Sequence, residues 1–183
     1  NWLAYGNRGA AYGGLGNYRQ ALEDYSRAIK IKPDYAKAYS NRGAAYSGLG
    51  NYEQAIEDYG RAIKVRPGYA EAYNNRGNAY CRLGNYGQAL EDLNKAIEIK
   101  PAYAEAYYNR GAAYKGLGHY KQAIEDYGRA IESKPGYTEA YLKRGLVYLN
   151  QGDKISGCRD ARKACELGNC KLLEAANTRG LCR

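Results

Sequence analysis

The sequence contains few of the residue types that catalysis uses most. It has no Phe and no Met, one His, five Ser and two Thr in 183 residues. Such a chain has little material for nucleophilic or general acid–base arrangements, which rely most often on Ser, Cys and His. It also has no apolar run near the roughly 20 residues that a membrane span requires. We therefore expect no enzyme, no cofactor and no membrane span.

The few prolines reveal an internal repeat. They lie 34 residues apart, at Pro33, Pro67, Pro101 and Pro135. Shifting the sequence by that period aligns four successive repeats, and a fifth repeat begins at Thr138 and then diverges from the pattern. A fixed period of this length indicates a repeat architecture. We predict a single solenoid with repeats at residues 2–35, 36–69, 70–103, 104–137 and, degenerate, 138–169, followed by a Cys-rich C-terminal cap at 170–183.

Each repeat has the pattern of two short helices. In the second repeat, small and aromatic residues recur three and four positions apart over residues 38–46, the spacing of one helix face. Gly50 and Asn51 interrupt this pattern. A second stripe of apolar residues over 52–63 follows before Pro67 ends the repeat. Helices of about 12–14 residues are marginal alone, so we expect stacking on neighbouring units to stabilise them.

The repeated residues resemble the signature of the tetratricopeptide repeat (TPR) family. The second repeat supplies this signature as Tyr39, Gly43, Tyr46, Ala55, Tyr59, Ala62 and Pro67. The resemblance implies an all-α fold, a right-handed TPR superhelix (α-solenoid) of about five helix pairs plus a C-terminal capping helix. It also implies that the first helix of each pair lines a concave groove.

Two charged features recur with the repeat. Where the family usually has leucine, this chain has Arg8, Arg42, Arg76, Arg110 and Arg144. We expect each Arg stem to cover apolar surface while its head reaches water. Adjacent acids such as Glu57 and Asp58 also recur in every full repeat, and we expect both members of the pair to lie on the surface.

Asparagine recurs at one position of the groove-facing helix, and lysine takes this position in the fifth repeat. An Asn side chain offers a donor and an acceptor, the same pair that a peptide bond presents. A row of them is suited to hold an extended peptide by its backbone, and the family resemblance supports this use. The candidate groove residues are Asn7, Asn41, Asn75, Asn109, Lys143, Asn74, Asn78 and Tyr108. The alternative is that they are inherited polar residues that bind nothing.

A subset of the family holds a C-terminal carboxylate with lysines, an arginine and asparagines. Only the Asn positions match here, because Gly6, Ser40 and Tyr108 stand where the first lysine is needed. Glu71, Glu105 and Glu139 occupy later cationic positions. We therefore do not expect a cochaperone that binds chaperone tails.

Four of the five cysteines lie in the last 26 residues, and they contain no CxxC pair that would favour zinc. A helix over about 154–167, a turn at Gly168 and Asn169 and a returning helix would form a hairpin. That hairpin favours nested disulfides, Cys158–Cys182 and Cys165–Cys170. Disulfides predict a periplasmic or extracellular location. Reduced thiols in a cytoplasmic protein are the alternative, and a bound metal is the least favoured one.

The expected partner is a protein or peptide. The net charge of +9 has no aromatic-interleaved basic patch, so nucleic acid is not favoured. The rival function is structural, with end-to-end stacking of solenoids into a homo-oligomer or filament. Trp2, Leu3 and Tyr5 would then present an apolar end to a neighbour. The chain begins with Asn1 rather than Met, so we expect the true N-terminus to lie elsewhere.

Overall fold

The computed structural model describes residues 1–182, and within that range it contains eleven helices and no strand. The predicted all-α architecture of helix pairs is confirmed. The helices are α1 (Trp2–Gly14), α2 (Tyr18–Ile31), α3 (Ala36–Gly48), α4 (Tyr52–Val65), α5 (Ala70–Arg82), α6 (Tyr86–Ile99), α7 (Ala104–Gly116), α8 (Tyr120–Ser133), α9 (Thr138–Asn150), α10 (Lys154–Glu166) and α11 (Lys171–Thr178).

These helices form two compact units. The first spans Asn1–Lys100 and contains α1 to α6, with each helix packed against the next. The second begins at Pro101 and contains α7 to α11, in which α11 packs against α10 and α9. The short α11 ends the described helices, in the place where the sequence predicts a capping helix.

The core of each unit combines alanines with tyrosines. Ala21, Ala28, Ala55 and Ala62 are completely buried, and Tyr59 is 2% exposed. Small residues let the helices approach closely, and the tyrosine rings fill the space that remains. Six tyrosines within residues 1–182 are buried, and others pack half-buried against the same clusters, so core packing accounts for much of the large Tyr content.

Glycine has two separate uses in the repeat. Within α3, a Cβ on Gly43 would lie 2.9 Å from Cε1 of Tyr59, so only glycine lets the two helices of the pair meet there. After α3, Gly50 has φ of 81°, the left-handed conformation that ends a helix. The same conformation recurs at the equivalent turn of every repeat, as the sequence indicates.

None of the helices described for residues 1–182 is long and apolar enough to cross a membrane.

Candidate functional site

The predicted asparagine row differs in exposure from repeat to repeat. Asn7 is exposed, Asn41 and Asn75 are half-buried, and Asn109 is only 7% exposed. Lys143, at the fifth position, is exposed. The row therefore offers accessible amides mainly in the first unit, and its lysine in the second.

In the first unit, Asn41 lines a recess between α1, α2 and α3, which we call the α3 recess. Its volume is about 330 Å³, and its walls include Ala10, Gly13, Ala44 and the ring of Tyr25. Burial raises the pKa of the Tyr25 hydroxyl, and a hydrogen bond with the Asn41 side chain offsets part of that rise. The Asn41 side chain lines the recess beside Tyr25, and the small residues around it leave room for a ligand backbone.

The next repeat contains a pair of adjacent asparagines. The Asn74 side chain is 5% exposed, and its Nδ2 donates to Oδ1 of Asn75 at 3.1 Å. Asn74 thus lies inside the unit and orients Asn75, whereas the sequence predicts it as a groove residue. Asn78, one helical turn further along α5, is exposed.

In the second unit, Tyr108 and Lys143 line a larger cavity, which we call the α11 pocket. Its volume is about 480 Å³, and its apolar walls are Tyr108, Leu142, Leu146, Leu172 and Ala175. Its remaining lining residues are charged, namely Glu139, Lys143 and Lys171. The structure therefore brings two of the predicted groove residues together with residues of α11 that the sequence does not single out.

Tyr108 is held in that wall by two other tyrosines. Its ring centroid lies 5.7 Å from that of Tyr127 and 5.1 Å from that of Tyr137. Burial, with a smaller effect of the Glu139 charge, raises the pKa of the Tyr108 hydroxyl. The ring is a fixed apolar surface that stays neutral at physiological pH.

A repeated ion pair is the main feature that the sequence analysis missed. Nε of Arg42 donates to Asp58 Oδ2 at 2.6 Å, and a second guanidinium nitrogen donates to Oδ1 at 2.8 Å. The same bidentate geometry joins Arg8 to Asp24, Arg76 to Asp92, Arg110 to Asp126 and Arg144 to Asp160.

These ion pairs correct two expectations. The guanidinium heads bind carboxylates instead of reaching only into water. Of the adjacent acids, Glu57 is exposed but Asp58 is 2% exposed, because neighbouring residues on a helix point about 100° apart. The constant spacing of 16 residues between Arg and Asp in all five repeats is the signal that could have predicted the pairs.

The C-terminal cysteines lie in the hairpin that the sequence predicts. The Cα atoms of Cys158 and Cys182 are 5.4 Å apart, and those of Cys165 and Cys170 are 4.0 Å apart. Both pairs are at disulfide distance, which fits an oxidising compartment. Cys81, outside these pairs, lies on α5, and burial raises the pKa of its thiol to about 11.

The first residues are partly engaged within the first unit. Trp2 makes an edge contact with Tyr35 at a centroid distance of 4.7 Å, and Nζ of Lys32 lies 4.3 Å from the Trp2 ring. Leu3 is 46% exposed. The apolar end that the sequence predicts is therefore reduced mainly to Leu3.

Comparisons with known proteins agree with this architecture. Family profiles described as tetratricopeptide repeat match residues 2–35, 25–57 and 104–137, and one described as TPR repeat matches residues 48–84 and 77–118. A search of curated protein sequences finds no significant match.

Several solved structures are similar over nearly the whole chain. A crystal structure of MamA has 30% identity and a TM-score of 0.75, covering 87% of this chain and 93% of that chain. A thermophilic TPR protein of Thermus thermophilus has 23% identity and a TM-score of 0.81, covering 97% and 98%. YrrB, described as a TPR protein with an unusual peptide-binding site, has 20% identity and a TM-score of 0.73, covering 97% and 92%. The last two likenesses show the fold alone.

Proposed function

Because this chain belongs to the tetratricopeptide repeat family, whose fold supports protein-interaction scaffolds, we propose that it binds an extended peptide or partner segment without catalysing a reaction. The observation that carries the proposal is the α3 recess. There the Asn41 amide lines a cavity whose other walls are mostly small side chains and tyrosine rings. An amide next to open space is suited to pair with the backbone of a passing peptide.

Asn75 is the equivalent asparagine of the next repeat. Its Oδ1 already accepts from Asn74, so the Asn75 amide is held in one orientation before a ligand arrives. Amides that are oriented in advance lose less conformational entropy on binding. YrrB, which shares the fold, is described as having a peptide-binding site, which is consistent with the proposal.

The test begins with selection of 12-residue peptides from a random display library against the purified chain. Fluorescence anisotropy then gives the affinity of the selected synthetic peptides. Replacing Asn41 and Asn75 together by Ala should weaken binding about tenfold, since each lost hydrogen bond contributes about 0.5–1.5 kcal/mol. Asn17→Ala with Asn51→Ala is the matched control, because both asparagines are exposed at helix starts and their side chains make no capping hydrogen bond.

Circular dichroism should show that both double variants stay folded. Equal affinities in the Asn41/Asn75 variant and the original chain would contradict the proposal. An equal loss in the control pair would contradict it as well, since the effect would then not depend on the groove.

The second candidate function is self-assembly, and the exposure of Leu3 is the observation that favours it. If copies stack through this end, light scattering over a concentration series should show growing mass, and Leu3→Glu should return the chain to a monomer of 20.3 kDa. A monomer at every concentration would exclude assembly and leave peptide binding as the function.

We also infer a location in the periplasm or outside the cell. The proposal rests on the two cysteine pairs at disulfide distance, because disulfides persist in oxidising compartments. Mass spectrometry of alkylated, non-reduced protein from its native source should find four cysteines protected. Four alkylated C-terminal thiols would favour the cytoplasm.

A further inference from the structure

The α11 pocket is built from residues that depart from the repeat. Leu142, Lys143 and Leu146 lie on α9 at positions where the second repeat has Ser40, Asn41 and Ala44. Each departure makes the site either more apolar or more basic. All three side chains line one cavity, so these three departures from the repeat meet at a single place on the second unit.

The cavity remains open although α11 covers part of α9. A Cδ atom of Leu172 lies within 3.1 Å of the position of a Cβ on Gly145, which shows that α11 packs tightly on α9 at that point. The 480 Å³ pocket nevertheless persists beside this contact, with Leu142 and Leu146 only half-buried. If these leucines served only to pack the final helix, the contact would cover them.

The charge at the pocket is positive on balance. Lys143 and Lys171 are exposed beside the apolar walls, against one acid, Glu139. Within residues 1–182, neither lysine takes part in an ion pair. Their ammonium groups are therefore available to a ligand, and a ligand that carries a carboxylate complements them.

We propose that the α11 pocket selects a peptide segment in which an apolar side chain is followed by an acidic residue. The apolar side chain enters between Leu146 and Leu172, with Tyr108 as the wall contributed by α7. The neighbouring carboxylate lies between Lys143 and Lys171. This rests on the proposed peptide-binding function and adds to it the chemistry of the preferred partner.

Two features of the chain support a binding site here rather than simple capping. The walls come from α7, α9 and α11, so the pocket forms only when the returning helix is in place. A second, smaller cavity of about 150 Å³ lies beside α11 and is lined by Leu172 of that helix and by Leu181, which follows it. Side-chain packing alone leaves α11 incompletely surrounded, and Cys182 joins its end to Cys158 of α10.

The experiment compares four fluorescein-labelled 12-residue peptides by anisotropy with the full chain under non-reducing conditions. They share a Gly/Ser background and differ in one central pair: Leu-Glu, Leu-Lys, Ala-Glu and Ala-Lys. Leu-Glu should bind about tenfold more tightly than Ala-Glu, since several methylene groups enter an apolar pocket. It should bind several-fold more tightly than Leu-Lys, and this charge preference should weaken as salt is raised.

The protein variants assign each preference to its residues. Lys143→Asn restores the residue of the other four repeats and, with Lys171→Ala, should abolish the preference for Glu over Lys. Ala175→Trp should fill the pocket and abolish the preference for Leu over Ala. Lys121→Ala, an exposed lysine of the second unit outside the pocket, is the matched control and should change neither preference.

The outcomes separate this inference from the function on which it rests. Equal binding of all four peptides, still weakened by Asn41→Ala with Asn75→Ala, would overturn the pocket and keep the groove. Preferences that survive Ala175→Trp and the lysine variants would overturn the pocket as well. If neither these peptides nor any library peptide binds, the proposed function itself fails.

Discussion

Arg42→Leu should destabilise the chain strongly, although it restores the residue that the family usually has at this position. The substitution leaves Asp58 with its carboxylate 2% exposed and without the two guanidinium hydrogen bonds of 2.6 and 2.8 Å. It also removes a 3.0 Å hydrogen bond from the guanidinium to Ser26 Oγ of the preceding repeat. Removing one partner of a buried ion pair costs about 3–5 kcal/mol.

The expected loss is about 3 kcal/mol, at the lower end of that range, because Asp58 keeps Arg61 at 3.7 Å as a second, weaker partner. With a urea m-value of about 2–3 kcal/mol/M, the midpoint of unfolding should fall by roughly 1 to 1.5 M. Equilibrium urea unfolding followed by circular dichroism measures this shift.

The double variant Arg42→Leu with Asp58→Leu tests the cause of the loss. Replacing both charges by apolar side chains removes the uncompensated carboxylate, so at least half of the lost stability should return. Glu57→Gln is the matched control, since its carboxylate is next in sequence but its side chain is 70% exposed; we expect a change within about 0.5 kcal/mol. The reasoning is refuted if Arg42→Leu costs no more than this control, or if the double variant is no more stable than the single one.

Three further predictions follow from the titrating groups and cysteines. A hydrogen bond from Arg8 lowers the pKa of Asp24. The ionised Asp24 carboxylate therefore stabilises the fold fully above the ordinary pKa near 4, and this contribution to the free energy of unfolding is lost as pH falls through the lowered pKa. In acid titrations, Asp24→Asn should lose less stability over this pH range than the original chain. Cys158→Ser should lower stability by about 3 kcal/mol and Cys165→Ser by about 2, because their bridges would close loops with separations of 24 and 5 residues; thermal unfolding without reductant should show that order, and the reverse order would contradict it. Burial raises the pKa of Cys81 to about 11, so iodoacetamide at pH 8 should modify it roughly a hundredfold more slowly in the folded chain than in urea, as followed by mass spectrometry; equal rates would contradict its burial.

Several parts of the candidate site follow from sequence patterns because they depend on local spacing. The predicted turn at Gly168 and the returning helix agree with α10 and α11. Cys165 and Cys170 flank the turn, while Cys158 lies within α10 and Cys182 follows α11. Helical spacing within one repeat likewise suffices to predict that Asn7 and Asn41 are accessible, in agreement with the exposure of Asn7 and the position of Asn41 in the α3 recess. These inferences require only the geometry of a single helix or hairpin.

Other parts could not be predicted in this way. Asn74 and Asn41 are both polar residues of the first helix of a repeat, yet one is buried beside Asn75 and the other lines the α3 recess. Burial depends on which side chains the neighbouring helices place opposite, and a helical pattern does not contain that information. The α11 pocket is a second case, since its walls come from three helices that are separated along the chain.

The helix-pair repeat, its 34-residue period and the alanine and tyrosine positions of the core can be predicted from the amino-acid sequence alone. Each repeat uses the same short-range pattern, so the signal is present several times. Which charges are buried, and where space remains for a ligand, depends instead on how the helices pack. The five Arg–Asp pairs join different helices, and the α11 pocket exists because a non-repeated helix covers α9 only in part. Both depend on contacts between different helices, which the pattern within one helix does not specify.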